Sequence, residues 1–288
     1  HTWRTENDKL LQRMGELRHN GNEQKGAWFR MHVSKIGRSG KFGFENKYKT
    51  YELGYDELTK NTAEVKRYQG AALSYTDGSS GYSSGSGDNS NKAISFYTTE
   101  IGSKGHYLDV VFKISNMDND FAVYDTNSNK ITGDFNNTGV SLSAEYGRKN
   151  TLQNGWYIEP QVQFTAGRLG SARYTTDRGT EVYAGGMNSF IGRVGLAAGQ
   201  KTKDGRSDFY IKGSLLHEFG GERDITMQAA NGETLATSKD YGDTWFELGL
   251  GTNIKLSKTS QFYGDIERSF GAEIQKKWQI NAGVRFEF

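Results

Sequence analysis

The chain has 288 residues, including 37 glycines, one proline and no cysteine, and 13% of its residues are aromatic, too many for a disordered chain. The 36 Lys and Arg nearly balance the 34 Asp and Glu, so net charge gives no support to nucleic-acid binding, and the lack of cysteine excludes disulfides and thiolate metal sites. No stretch approaches the ~18 to 20 consecutive apolar residues of a membrane helix, but a membrane β-barrel hides its apolar residues at every second position.

The first predicted element is a helix from Asn7 to Arg18. It begins at an Asn-Asp cap and ends at the sequence His19-Asn20-Gly21, which is a typical stop. Its apolar stripe is narrow and the remaining side chains are charged or polar. The stripe consists of Leu10, Leu11, Met14 and Leu17. A helix of this kind is suited to a protein surface or to a polar cavity.

From Gly26 to the last residue, apolar and polar side chains alternate with a period of two, which predicts β-strands. Near the start, Phe29, Met31 and Val33 alternate with polar neighbours, and the pattern repeats to the closing sequence WQINAGVRFEF. We count about twelve such segments of roughly ten residues, the length of a tilted membrane strand.

The predicted connections fall into a longer and a shorter set that alternate along the chain, which is typical of outer-membrane barrels. The longer set is expected at 38–45, 77–90, 117–133, 170–186, 220–240 and 270–275. The shorter set is expected near 58–62, 102–105, 150–154, 200–206 and 253–260.

Strand alternation fits both a soluble β-sandwich, whose apolar face covers a core, and a membrane barrel, whose apolar face meets lipid. Loop sorting, the low overall hydrophobicity and aromatic residues near segment ends favour the barrel. Those aromatic residues are Trp28, Tyr107, Trp156, Trp245, Trp278 and Phe288. The predicted fold class is therefore all-β, a twelve-stranded antiparallel transmembrane β-barrel.

Several segments together resemble a known family. They are LLQRMGELR at 10–18, GAWFR at 26–30, YKTYELGYD at 48–56, GHYLDVVFK at 105–113, GWYIEPQVQF at 155–164, FIGRVGLAAG at 190–199, LLHEF at 215–219 and the terminal WQINAGVRFEF. In this order they resemble the translocator domain of type Va autotransporters. The resemblance implies a bacterial outer-membrane barrel at residues 25–288. It also implies that residues 1–24 are a pore helix and linker from a secreted passenger that lies upstream.

The resemblance also implies a set of residues for the pore. The helix would present Leu10, Leu11, Arg13, Met14, Glu16, Leu17 and Arg18 to the lumen. The surrounding wall would present Arg30, Glu52, Asp109, Glu145, Glu159, Arg193, Asp265 and Glu267. A helix in this position would plug the pore, and ion leakage should be small.

The family further implies the location and partners of the chain. The barrel would sit in outer-membrane lipid as a monomer, with long loops extracellular and short turns and the C-terminus periplasmic. Barrel-insertion machinery and periplasmic chaperones would assemble it, and the alternating apolar residues of the last strand resemble their recognition signal. These residues are Trp278, Ile280, Val284, Phe286 and Phe288. No cofactor, metal or nucleic acid is expected.

Some family members cut themselves at an Asn in the pore helix, with the help of lumen acids. Asp109 and Glu145 match two of those acids. The Asn-Asn pair of the self-cutting members falls here on Asp8-Lys9, Asn7 is displaced by one position, and the third acid is Gln163. We therefore expect no enzyme, and interpret Asp109 and Glu145 as structural charges.

Two alternatives remain open from the sequence. One is an outer-membrane porin, or an adhesin that binds through loops 77–90 and 220–240. The other is an omptin-like barrel protease, which would need His and Asp together at the loop rim. The five histidines, His1, His19, His32, His106 and His217, do not fall beside paired Asp residues in the predicted loops, which counts against the protease.

Overall fold

The computed structural model describes residues 2–5, 9–41 and 43–288, with the backbone alone at residues 2 and 5. Among these residues no helix has the length and apolar character needed to cross a membrane. Two short helices precede the strands, α1 (Thr2–Thr5) and α2 (Leu10–Met14). The strands are β1 (Lys25–Arg38), β2 (Phe44–Asn61), β3 (Val65–Tyr82), β4 (Gly85–Gly102), β5 (His106–Tyr124), β6 (Lys130–Arg148), β7 (Asn150–Thr151), β8 (Trp156–Leu169), β9 (Ala172–Thr175), β10 (Glu181–Ala184), β11 (Met187–Lys201), β12 (Ser207–Glu218), β13 (Glu222–Gln228), β14 (Thr234–Asp240), β15 (Asp243–Lys255), β16 (Ser260–Phe270) and β17 (Gln275–Glu287).

Twelve of these strands close into an antiparallel barrel, as the alternating sequence predicted. The order around the wall is β1, β2, β3, β4, β5, β6, β8, β11, β12, β15, β16 and β17, and β17 pairs again with β1. The closing pair brings the two ends of the barrel sequence together, because Lys25 and Phe288 exchange backbone hydrogen bonds of 2.9 and 3.0 Å. A closed sheet has no free edge strand within its wall.

The two faces of the wall are inverted relative to a soluble protein. Large apolar side chains face outward and are exposed, for example Leu53 (59%), Ile211 (62%) and Val194 (55%). Charged side chains face inward and are buried, for example Arg30 and Glu52 at 1% and 2% exposure. An apolar exterior around a charged interior is the arrangement of a membrane barrel and excludes the soluble β-sandwich.

Several strands are much longer than the ten residues predicted. β2 to β6 have 18 or 19 residues, which at ~3.3 Å per residue and ~45° tilt rise roughly 40 Å, against an apolar band about 25 Å tall. On β5 the outward side chains change from apolar at Ile114 to polar at Asn116 and Asp118. The predicted loops 77–90 and 117–133 are thus mostly strand that continues beyond the apolar band. Their alternation is hidden because both faces there are polar.

The predicted loops 170–186 and 220–240 are also partly ordered into strands. They form two hairpins that pair into a separate four-stranded sheet, ordered β14, β13, β10, β9. Tyr174 on β9 packs between Phe121 and Phe135 of the extended β5–β6 hairpin, with ring centroids 5.7 and 5.2 Å apart. This aromatic contact attaches the small sheet to the barrel wall.

Five inward-facing aromatic side chains each lie across a glycine directly opposite on the neighbouring strand. A Cβ atom added to any of these glycines would come within 2.0 to 2.6 Å of the aromatic side chain. The pairs are Trp28–Gly54, Tyr107–Gly147, Tyr157–Gly199, Tyr210–Gly251 and Tyr263–Gly283. The aromatic residues expected near segment ends do lie at or close to strand ends. Trp28, Tyr107 and Trp245 are buried, whereas Trp156 and Phe288 are exposed.

Candidate functional site in the barrel lumen

The described parts of the N-terminal segment, residues 2–5 and 9–24, lie along the lumen from one end to the other. Trp3 packs against Met117, Leu169 and Met187 at the end that carries the small sheet. At the opposite end the carbonyl of Gln24 accepts a hydrogen bond from the Leu58 backbone, beside the first residue of β1. Between them, Leu10, Gln12, Arg13, Met14, Glu16 and Leu17 are buried and Leu11 is half-buried.

The predicted helix from Asn7 to Arg18 is not continuous. Its α-helical part is Leu10–Met14, followed by a short 3-10 turn at Leu17–His19, while Asn7 and Asp8 lie outside the described residues. The helix ends because Gly15 adopts a positive φ of 74°, and a Cβ there would lie 2.6 Å from the Tyr263 ring. The bend carries the chain past the ring of Tyr263.

Arg13 is the central contact between the segment and the wall. Its guanidinium donates two hydrogen bonds to the two Asp109 oxygens, at 2.8 and 3.0 Å, and lies 4.8 Å from the Tyr97 ring centroid. Thr99 donates to the same carboxylate at 2.6 Å, and the Tyr263 hydroxyl donates to the Arg13 carbonyl at 2.6 Å. A bidentate pair of this kind fixes both distance and orientation.

Lys9 enters a second acidic site on the opposite side of the lumen. Its Nζ lies 2.6 Å from Glu247 and 2.7 Å from Glu267. The amide of Gln12 donates to Asp265 at 2.8 Å. Lys9, which caps α2, and Gln12, within α2, therefore contact the same acidic cluster. Lys212 and Lys276 also contact this cluster, at 3.1 and 2.6 Å from Glu267. Three acids are thus balanced by three lysines only while Lys9 is in place.

A third site holds the segment where it leaves the lumen. Arg18 donates to Glu16 at 2.6 and 2.8 Å and lies 2.5 Å from Glu159. Lys149 lies 3.4 Å from the same Glu16 carboxylate. Burial would raise the pKa of Glu16, but Arg18 and Lys149 together lower it well below its usual range. Burial lowers the pKa of His19 to about 4, opposed by Glu16 and assisted by Lys149.

Glu145 has a different role from Asp109, although both were singled out in the sequence. Its carboxylate accepts the backbone N–H of Leu10 at 3.1 Å and the Tyr107 hydroxyl, and lies 3.4 Å from Arg193. Arg193 in turn donates to Gln163 at 2.9 Å. Glu145 therefore holds the first residue of α2, and Asp109 holds its fourth.

The structure places all eight predicted wall charges inside the lumen, since each is at most 8% exposed. Arg30 pairs with Glu52 at 3.0 Å on the neighbouring strand. Sequence reasoning missed several others, namely Asp56, Asp208, Lys212, Glu218, Glu247, Lys276, Arg285 and Glu287. Asp56 could have been found because it shares the alternation of Glu52, and it forms a bidentate pair with Arg285 at 2.6 and 2.9 Å.

The charges of the wall and the segment are complementary. Among the described residues, the strands carry eleven buried acids, five buried bases and the half-buried Lys276, an excess of five negative charges. The segment from 9 to 19 supplies Lys9, Arg13 and Arg18 against one acid, Glu16. The described residues contain no group of three or more His, Cys, Asp or Glu placed to hold a metal ion.

The comparisons with known proteins agree with this arrangement. Residues 26–267 match the family model described as autotransporter beta-domain. The chain belongs to the autotransporter beta-domain family. It is 32% identical over 292 residues to the pertactin autotransporter of Bordetella parapertussis and 28% identical to the probable autotransporter YcgV of Escherichia coli, covering 99% and 98% of this chain. It spans 31% and 30% of the length of those relatives.

Solved structures show the same fold. The beta domain of the Bordetella autotransporter BrkA has a TM-score of 0.74 at 24% identity and covers 92% of this chain and 100% of that one. The translocator domain of NalP from Neisseria meningitidis has a TM-score of 0.69 at 14% identity and covers 94% and 91%. This autotransporter beta-domain is an outer-membrane barrel, with its long loops extracellular and its short turns and C-terminus periplasmic.

Proposed function

We propose that this domain delivers an upstream passenger to the cell surface and then anchors it, with residues 1–24 as the end of the passenger and 25–288 as the translocator. The observation that carries the proposal is the position of residues 9–24, which lie in the lumen and are held there by Lys9, Arg13 and Arg18. A chain held in this way is what remains in the pore after a passenger has crossed.

The test compares single-channel conductance of the whole chain with that of a chain lacking residues 1–24, in planar bilayers. We expect a quiet parent and a conducting deletion. Equal and large conductance in both would indicate an open porin. A matched control deletes residues 230–233 at the tip of the β13–β14 hairpin, which lies outside the lumen and should leave the parent quiet.

We propose that Asp109 and Glu145 dock the segment and do not cut it. Asp109 is fully engaged by Arg13 and Thr99, and Glu145 accepts the Leu10 backbone N–H. The purified chain should therefore keep its full intact mass over days, and the Asp109→Asn variant should likewise keep its own full mass. A fragment that starts near residue 8 and disappears in Asp109→Asn would instead indicate self-cleavage.

We propose that the last strand is recognised by barrel-insertion machinery and periplasmic chaperones before the barrel closes. Ile280, Phe286 and Phe288 face outward and are 52%, 51% and 61% exposed, so they are available on the unpaired strand. Val284 is half-buried on the same face, as is Trp278 near the other end. Replacing Phe286 and Phe288 with Ala should lower the folded fraction in the outer membrane, whereas the outward pair Leu248 and Leu250 on β15 serves as a matched control.

A further inference from the structure

The outer surface of the barrel carries one concentrated basic patch, on β17, β1 and β2, directly above the apolar band. On β1 the outward side chains change from Val33 to Lys35, and on β2 they change from Tyr51 to Lys49 and then Lys47. β1 runs toward the extracellular end, and its antiparallel neighbours β2 and β17 run away from it, so Lys35, Lys47 and Lys49 all lie on the extracellular side of the apolar band. The patch is therefore at the level of the outer-leaflet headgroups.

Two of these lysines repel each other electrostatically. Lys35 and Lys47 are direct partners across the β1–β2 pair, where like charges destabilise a sheet. An ion pair with Glu45, 2.8 Å away, partly offsets this repulsion at Lys35. Among the described residues, Lys47 and Lys49 have no ion pair within 4.0 Å, although Asp77 is the cross-strand partner of Lys49.

A β-bulge adds one further lysine to the patch, next to Trp278. On the β1–β17 pair, Lys35 is opposite Trp278 and Ile36 is opposite Lys276, so Lys277 is an extra residue. Lys276 reaches the lumen acids, whereas Lys277 reaches Glu45 at 3.3 Å on the outside. Bulges re-aim side chains, and this one places a lysine beside an interfacial tryptophan.

Among the residues that the structure describes, the other strands lack such a concentration at this level. The first outward residues beyond the apolar band are neutral on several strands, and other strands carry one isolated base. The neutral residues are Asn116, Thr138, Asn188 and Thr244, and the isolated bases are Lys92, Arg168 and Arg268. Four lysines against Glu45 and Asp77 leave the patch with two excess positive charges on three adjacent strands.

We propose that Lys35, Lys47, Lys49 and Trp278 form a binding site for the phosphorylated diglucosamine headgroup of lipid A in the outer leaflet. Lysine ammonium groups bind phosphate as point charges, and a tryptophan at headgroup depth packs on the sugar and the upper acyl chains. The acyl chains would lie along the apolar band below, on Val33 and Tyr51.

The test measures binding of purified lipid A to the whole chain in detergent by native mass spectrometry. We expect roughly fivefold weaker binding for each lysine removed, so that K35Q/K47Q/K49Q binds about 100-fold more weakly. The matched control K104Q/K203Q/K258Q removes three exposed lysines from periplasmic turns and should bind as the parent does. Both variants should remain quiet in bilayers, which shows that the barrel and its plug are folded.

Three results would overturn the proposal. The first is equal lipid A affinity in the parent and in the triple variant. The second is that the parent protein binds phosphatase-treated lipid A, or phosphatidylglycerol, as tightly as it binds lipid A. Either result would show that the phosphorylated sugar is not what the site recognises. The third is displacement of lipid A by millimolar inorganic phosphate, which would indicate a site for a free anion.

Discussion

The ring of Tyr263 lies against the backbone of Gly283 on the neighbouring strand, so that a Cβ at Gly283 would come 2.3 Å from the ring. The same tyrosine donates its hydroxyl to the Arg13 carbonyl and borders the bend at Gly15. One side chain therefore links the β16–β17 strand pair to the segment in the lumen. The other four glycine–aromatic pairs repeat the wall contact at different positions around the barrel.

Gly283→Ala should weaken both the β16–β17 pairing and the plug, because the Tyr263 ring must move away from the new methyl group. Overpacking of this kind costs about 1–3 kcal/mol. We expect a lower temperature for loss of the folded band on electrophoresis, together with more frequent openings in bilayers. Gly213→Ala is the control, since its Cβ would meet Leu248 at an ordinary 3.5 Å. Unchanged openings in Gly283→Ala would show that Tyr263 does not couple the β16–β17 strand pair to the plug.

Arg13→Gln should release the plug, because it leaves the Asp109 carboxylate buried with one neutral partner, Thr99. Removing one member of a buried ion pair costs about 3–5 kcal/mol. We expect long conducting bursts in a protein that is still folded. Adding Asp109→Asn should restore much of the quiet state, since it removes the unpaired charge. If the double variant opens as often as Arg13→Gln, the pair is not what holds the segment.

The fold was predictable because the barrel wall separates lipid from a charged lumen. Side chains therefore alternate between apolar and polar along each strand. The prediction was wrong where that contrast disappears. The stretches 77–90 and 117–133 are polar on both faces, and their continued backbone pairing leaves no signal in residue type. Helix length was overestimated for a similar reason, since the residues from Leu10 to Leu17 keep a helical period although Gly15 bends away from Tyr263.

The candidate site was predictable by position but not by pairing. Alternation identified the inward acids, yet Asp109 lies 96 residues from its partner Arg13 and nothing local connects them. Lys276 was missed because the bulge at Lys277 breaks the alternation of β17. These contacts form only when the sheet closes, and their partners depend on the pairing register of all twelve strands.

A chain lacking residues 1–24 should form a cation-selective pore. The excess of acids on the wall is no longer offset by Lys9, Arg13 and Arg18, and a channel lined by one sign of charge concentrates the opposite ion. We expect the reversal potential in a KCl gradient to approach that of K⁺, and to fall toward zero when Glu247 and Glu267 are changed to Gln. An anion-selective pore would contradict the excess of acids on the lumen wall.

Lowering the pH from 7 to 5 should make the plug of the whole chain less stable. His19 has its pKa lowered to about 4 by burial, with Lys149, Lys201 and Lys255 nearby and Glu16 opposing them. Released into water the imidazole regains a pKa near 6.5, so below that pH the released state binds a proton that the docked state does not. Docking therefore weakens as the pH falls from about 6.5 toward 4. The measurement is opening frequency at each pH, and His19→Gln should reduce its rise. An equal rise in His19→Gln would assign the pH dependence to the lumen acids.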